Sequence, residues 1–329
     1  MIISKTPFRI SFFGGGTDYP GWYNDNGGMV LSTTINKYCY ITIRELPQFF
    51  DYNYRLRYFK TEEVNSINEI QHPSIRESVK FLGIKTQFEL VHFAEMPAQS
   101  GLGSSSTFTV GLLNALHALN NNMVGRSQLM SEAIHVEQDL IKENVGSQDQ
   151  AAAAYGGFNT YEFKTDGSIQ ATPMTIEKSR VDLLDENLLL FFTGFSRTAS
   201  SVAGEQIKNI SVRKKELRQM MELTREAISI LNNRHRTLDD LGRLLHEQWC
   251  VKKTLSSKIT NSSIDDIYNT AISAGALGGK LLGAGSGGFM LLYVKPEEQE
   301  NVKRALSKLL VVDFNFEREG SSIVHYRGY

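Results

Sequence analysis

Two hydrophobic rhythms divide this chain. In the first hundred residues, apolar positions fall in short β-branched and aromatic runs, "RISFF" at 9–13 and "GMVLSTTINKYCYITIRE" at 28–45, which predict strands around the Gly-rich stretch 14–28. Residues 37–60 alternate as hairpins do, and "GIKTQFELVHFAEMP" at 83–97 predicts a further strand. Helical spacing then takes over. "TFTVGLLNALHAL" at 107–119 follows the serine-rich "PAQSGLGSSS", and a second helix is expected over 127–144, with Ser127 as N-cap and Leu129, Ala133, Ile134 and Val136 on one side. A short Ala-rich helix in "VGSQDQAAAAYGG" ends at its glycines. Residues 169–186 read as a turn-rich junction before the apolar strand in "NLLLFFTGF". Helices are expected over about 200–233, 237–256, 263–276 and 296–310, with "FMLLYV" as a strand before the last. Strands followed by helices indicate an α+β fold, and the junction places a boundary near residue 185, giving units 1–184 and 185–329.

Composition narrows the classes. At 329 residues and 41% hydrophobic content the chain can bury a large core, and its length suits two domains. Lys plus Arg (35) nearly balances Asp plus Glu (36), so no overall field favours nucleic acid or an acidic membrane. Cys39 and Cys250 lack disulfide-framework or zinc spacing, which fits a reducing cytoplasm. The N-terminus carries Lys5 and Arg9 among its apolar residues, and no apolar run reaches about 18 residues. A soluble, cytoplasmic protein acting on small molecules is expected, with neither nucleic acid nor membrane as partner.

The chemistry is carried by glycine. Gly101 and Gly103 sit among serines at the mouth of a helix, where the backbone can approach a ligand and unpaired N–H groups favour an anion. Such a site suits a phosphate chain, and serine hydroxyls can serve Mg²⁺ as hard oxygen ligands. The plain alternative is a solvated loop with Ser104 capping the helix. The stretch lacks the G-x-x-x-x-G-K-[ST] pattern of the ordinary P-loop. A G-x-G-x-x-G occurs at Gly283, Gly285 and Gly288, but a helical pattern precedes it and a strand follows, the reverse of a dinucleotide fingerprint.

Three motifs in order, "PFRISFFGGGTDY", "PAQSGLGSSS" and "KLLGAGSGGF", resemble the signatures of the GHMP small-molecule kinases over nearly the whole chain. Within that superfamily, "RISFFGGGTDYPGWYNDNGGMVLSTTINKYCYITI" and "GGKLLGAGSGGF" resemble the bacterial D-glycero-D-manno-heptose 7-phosphate kinases. The resemblance implies an N-terminal domain like that of ribosomal protein S5, a C-terminal ferredoxin-like domain and an active site between them. It also implies ATP-dependent phosphorylation of the anomeric hydroxyl of heptose 7-phosphate to the 1,7-bisphosphate, toward GDP-heptose for surface polysaccharide. A kinase for an unphosphorylated sugar such as fucose, or a sensor binding sugar and ATP without turnover, are the alternatives. Monomer and homodimer both stay open.

Matched positions suggest roles. Gly101, Leu102, Gly103, Ser104, Ser105 and Ser106 would wrap the ATP phosphates, with Ser105 and Glu137 as Mg²⁺ ligands. Glu137 lies twelve residues before Asp149, the separation in galactokinase-like members between metal-binding glutamate and catalytic aspartate. Asp149 would take the proton of the attacking hydroxyl, and Arg9 would steady the developing charge. Gly15, Gly16, Thr17 and Asp18 would meet the sugar, and Gly283, Gly285 and Ser286 would close the substrate site from the other domain. Gly15 and Gly16 replace the acidic residue and histidine of galactokinases, which leaves room for a larger sugar. Arg197, in "TGFSRTASS", is the candidate partner of the substrate's 7-phosphate. "YRLRYFKTEE" fits either the adenine side or an exposed hairpin.

Overall fold

The structure, a computed structural model, describes residues 1–194 and 199–327. β1 (Ile2–Phe13) and β2 (Gly28–Glu45) pair antiparallel, with register shifts at Pro7/Phe8 and Ser11/Phe13. The first shift follows from Pro7, which has no N–H for the ladder. Between the strands, α1 (Pro20–Asn26) occupies part of the Gly-rich stretch, where no helix is expected from the pattern. Seven residues are too few for a periodic signal, yet Pro20 starts the helix and Trp22 and Tyr23 are buried. β2 runs unbroken to Glu45, so the alternation after residue 37 is a long strand; the hairpin comes later, from β3 (Tyr54–Arg57) to β4 (Thr61–Val64). α2 (Pro73–Phe81), unmarked by the pattern reading, leads to β5 (Phe88–Ala94), which pairs antiparallel with β2 and parallel with β3.

Helices cover this sheet. α3 (Ser104–Leu119) is buried from Ser106 to Leu119 except at Asn114, because it packs between β1, β2 and the next helices. α4 (Arg126–Ile134) is capped by Gly125, not by Ser127, and passes into a π-helical turn, His135–Leu140, so the expected 127–144 helix is not regular. α5 (Gln148–Tyr155) then leads to β6 (Phe158–Phe163), paired with β2, and β7 (Ile169–Pro173), paired with β6. The expected turn-rich junction holds β7 and α6 (Lys178–Glu186), whose Leu184 is fully buried.

A second sheet, ordered β11-β8-β10-β9 and antiparallel throughout, is built from β8 (Leu188–Phe192), β9 (Gly278–Leu281), β10 (Phe289–Tyr293) and β11 (Leu310–Val311). The helix expected over 200–233 is two, α7 (Ala199–Asn209) and α8 (Lys214–Asn232). Asn209 pins the break by donating its amide to Leu255 O at 2.9 Å. α9 (Asp239–Lys253) and α10 (Ser262–Ser273) follow, and α11 (Pro296–Ala305) stops short of residue 310 because Leu310 and Val311 pair with β8. The chain's end crosses back: β12 (Phe316–Glu317) pairs with β2 and β13 (Ser322–Tyr326) with β1. The last part of 185–329 therefore belongs to the first sheet, a return that no local pattern announces. One apolar core runs through both halves, joining Phe8 and Ile10 with Leu241 and Phe289. Among the described residues no helix is long and apolar enough to cross a membrane.

Candidate active site

The fold gathers the first two glycine motifs and part of the third around one cleft. β1 carries Arg9 to its floor, and α5 presents Asp149 in its first turn. Arg9 grips Asp149 bidentately, Nε to Oδ1 and Nη2 to Oδ2, both at 2.8 Å, and its Nη1 donates to Gly101 O at 2.7 Å. The planar guanidinium thus fixes the carboxylate against the glycine loop, with both oxygens engaged in one plane. Gly103 caps α3 in the left-handed conformation (φ 78°), and a Cβ there would lie 3.3 Å from Arg9 Cγ and 3.4 Å from Asp149 Cγ. The capping role considered for Ser104 falls to Gly103; Ser104 Oγ instead accepts Gln99 N–H at 3.1 Å.

Glu137 sits behind the loop with no exposed surface. The π turn sets its carboxylate under α3, where it accepts Ser106 Oγ at 2.7 Å, Thr109 Oγ1 at 2.8 Å and Gln150 Nε2. Burial pushes its carboxyl up to about 7 despite these donors. Ser105 is exposed toward the cleft, its Oγ 3.5 Å from Glu137 Oε1. These two hard oxygens are the ones in the described residues around the loop that could hold a Mg²⁺. Ser106 is spent on Glu137, and Leu102 is buried with its carbonyl accepting Arg9 N–H at 3.2 Å.

The sugar-side motif divides by role. Gly15, Gly16 and Asp18 line the cleft, whereas Thr17 is buried and holds the turn, its Oγ1 donating to Gly14 O at 2.8 Å and accepting Met29 N–H at 3.1 Å. Thr17 shapes the substrate loop rather than facing substrate. Asp18 accepts Gly16 N–H at 2.8 Å and Gln148 N–H at 3.4 Å; burial raises its carboxyl above the usual range. Gly283 lines the cleft, but Gly285 and Ser286 do not: they pack on the 258–261 segment, Ser286 N–H bonding Ile259 O at 2.8 Å and its hydroxyl bonding Lys258 O. Their expected substrate contact is replaced by a loop-to-loop one. The loop is an antiparallel hairpin between β9 and β10, so a strand, not the expected helix, precedes it. Arg197 lies outside the described residues.

Among the cleft residues that the sequence reading does not single out are two lysines, Lys252 on α9 and Lys280 on β9. Lys280 Nζ donates to Ser11 O at 2.8 Å and Phe12 O at 3.0 Å, tying the second sheet to β1, and Lys252 Nζ donates to Gly283 O. Lys280 sits within "GGKLLGAG", so proximity to the third motif was an available signal; Lys252 had none beyond a lysine on an apolar helix face. Beside the loop lies a more apolar cavity lined by Phe8, Tyr58, His72, Met96 and Phe108, sharing Gln99, Ser104 and Ser105 with the cleft. Burial lowers His72 to about 4, keeping its ring neutral against Phe108 at 4.7 Å. Tyr58, Phe59 and Lys60 place "YRLRYFKTEE" at this cavity.

The chain matches the GHMP kinases N terminal domain over residues 73–157 and the GHMP kinases C terminal domain over 215–312. It is 31% identical to D-glycero-alpha-D-manno-heptose 7-phosphate kinase of Campylobacter jejuni, covering 97% of each chain. It is 22% identical to galactokinase of Pyrococcus furiosus over 96% of this chain and 95% of that one. A crystal structure described as a D-glycero-D-manno-heptose 1-phosphate kinase from B. thetaiotaomicron superposes with a TM-score of 0.77 at 26% identity, covering 100% of both chains.

Proposed function

The chain belongs to the GHMP kinases, and from that premise we propose that this sugar kinase transfers the terminal phosphoryl group of ATP to the anomeric hydroxyl of D-glycero-D-manno-heptose 7-phosphate. The product is the 1,7-bisphosphate, on a route to GDP-heptose in the cytoplasm. The observation that carries this reading is the Arg9–Asp149 pair, set between the 101–106 loop and the Gly15–Asp18 turn in a chain 31% identical to a heptose 7-phosphate kinase.

The residues divide the reaction. The loop and the positive end of α3 receive the phosphate chain, and the apolar cavity beside it receives adenine. Ser105 and Glu137 would hold Mg²⁺, which would supply charge neutralisation to the phosphates. Asp18 accepts hydrogen bonds from sugar hydroxyls and sets the ring against Asp149. Asp149 accepts the hydroxyl proton as the sugar oxygen attacks in line, while Arg9 holds the carboxylate in place and offsets negative charge at the attacking oxygen. The substrate's own phosphate is assigned to Arg197.

ADP release across a panel of heptose 7-phosphate, heptose, fucose and galactose tests this reading. Turnover confined to the sugar phosphate supports it. Faster turnover of an unphosphorylated sugar favours the alternative substrate class, and binding without turnover favours a sensor. Asp149→Asn should fold normally and lose roughly 10² to 10⁴ in turnover.

A further inference from the structure

Three cationic side chains, Arg9, Lys252 and Lys280, line the cleft with three carboxylates, Asp18, Glu143 and Asp149, yet among these described residues only Arg9 and Asp149 form a salt bridge. Among the described residues that line it, Arg9 is paired with Asp149, but Lys252 and Lys280 have hydrogen-bond partners only among backbone carbonyls. Their relative exposures are 4% and 1%, so each ammonium has left water without gaining an ionic partner. Such burial is unfavourable unless the charge serves something else. The two lysines differ. Two of the three Lys280 donors go to Ser11 and Phe12 carbonyls, which makes it a tie between the halves. Lys252 spends one donor on Gly283 O and has the others available at the cleft wall.

The position of Lys252 is set by the crossing of two glycine loops. Gly283, whose carbonyl it holds, packs directly on Gly101: a Cβ added to Gly283 would lie 2.4 Å from Gly101 Cα. Gly101 O is in turn held by Arg9. Each of the two touching glycines therefore has its carbonyl held by a cation, Gly101 by Arg9, which is bound to Asp149, and Gly283 by Lys252, which forms no salt bridge among the described residues. We infer that Lys252 is a catalytic residue, its ammonium contacting the phosphoryl group in transit from ATP to the sugar hydroxyl. This rests on the proposed kinase reaction but not on which sugar is used. A preorganised buried cation neutralises charge on the transferred group without reorganisation at the moment of reaction. The groups around it are Arg9, Asp18, Asp149 and Lys280, and burial with the Arg9 charge lowers Lys252 to about 8. The active form is the protonated one, so the wild-type rate should fall as pH rises through about 8.

Lys252→Met and Lys252→Arg test the role. The methionine variant keeps the apolar stem, and its fold is checked by ADP affinity, expected within about threefold of wild type. Binding of a non-hydrolysable ATP analogue should weaken about ten- to a hundredfold, the size of a lost charge-assisted hydrogen bond. Turnover of whichever sugar the wild type uses best should drop by roughly 10² to 10³, the alkaline limb should vanish, and arginine should restore part of the rate. Equal loss of ADP and analogue binding would make Lys252 a general nucleotide or folding residue and overturn the assignment. So would a raised KM for the sugar phosphate alone, or an unchanged alkaline limb. The analogue-against-ADP comparison uses no sugar, so it stands if heptose 7-phosphate is not the substrate; the sugar panel decides that separately.

Discussion

The loops at 101–106 (GLGSSS) and 283–288 (GAGSGG) draw on the same small residue types, touch one another, and do different work. In the first, left-handed Gly103 (φ 78°) turns the chain into α3 so that N–H groups and Ser105 open toward the cleft, with Glu137 beneath them. In the second, the glycines have space for no side chain: Cβ atoms at Gly283, Gly285 and Gly288 would meet the backbones of Gly101, Ile259 and Ser100 at 2.4, 2.7 and 2.1 Å. Ser286, itself left-handed at φ 68°, spends its hydroxyl on Lys258 O. One loop uses glycine to expose polar groups to the cleft. The other uses it to bring two backbones together, and its polar groups face protein.

The sharpest way to break this contrast is Gly283→Ala. The methyl would strike Gly101 Cα in a backbone conformation (φ 73°) that disfavours it anyway, so the loss of stability should exceed about 4 kcal/mol in denaturant unfolding. A loss below about 1 kcal/mol would mean that the second loop is not a packing element.

Next in size is the charge beneath the first loop. Glu137 has a folded value near 7 against 4.5 as its ordinary value, so the native state binds the extra proton between those pH values. Its contribution is fully present below about 4.5 and is lost as pH rises through 7. Nucleotide-free protein should therefore lose up to about 3 kcal/mol across that window from this group. Glu137→Gln should flatten the slope by that share, leaving the slope from Asp18, which is shifted the same way. Identical slopes in the two proteins would detach Glu137 from the pH response.

Gly103→Ala comes third. It should cost about 1 to 2 kcal/mol in stability for the left-handed conformation. Turnover should suffer more, because the new methyl presses on Arg9 and Asp149 at 3.3–3.4 Å. Full activity at lowered stability would show that the pair tolerates displacement.

The smallest effects come from the serines, and they should be opposite in kind. Ser105→Ala should leave stability near wild type and raise the Mg²⁺ concentration needed for half-maximal rate. Ser286→Ala should leave that titration unchanged while lowering stability by about 1 kcal/mol, the worth of one buried hydrogen bond. Exchange of the two outcomes would invert the assignment of the loops.

How far each loop was legible follows from the same difference. The 101–106 loop was read correctly as the mouth of a helix because strand, glycine turn and helical run are adjacent in sequence, and the chemistry of a helix N-terminus is local. At 283–288 the glycines were visible but their purpose was not: what fills the space over Gly285 is Ile259, and nothing in "LLGAGSGG" indicates it. The first motif likewise does not show that the Thr17 hydroxyl is committed to Gly14 and Met29. α1 was hidden by its length, and the π turn by apolar spacing that suits an α-helix equally well.

The sequence by itself determined the local matters: strands by alternation, helices by their apolar stripes, the start of α3 by its glycines, and the α+β class by their order. The three motifs also marked the family and, within the first of them, Arg9 and Asp18, while a twelve-residue separation pointed to Glu137 and Asp149. Tertiary structure alone decided which of these meet. Arg9 and Asp149 are 140 residues apart and form one bidentate pair, Lys252 and Lys280 reach the cleft from the other half, and residues 322–326 return to the edge of β1. Side-chain periodicity records which face a residue turns inward, not what it meets there; the partner is fixed by the packing of the whole core and by the need of each buried polar group for a distant counterpart.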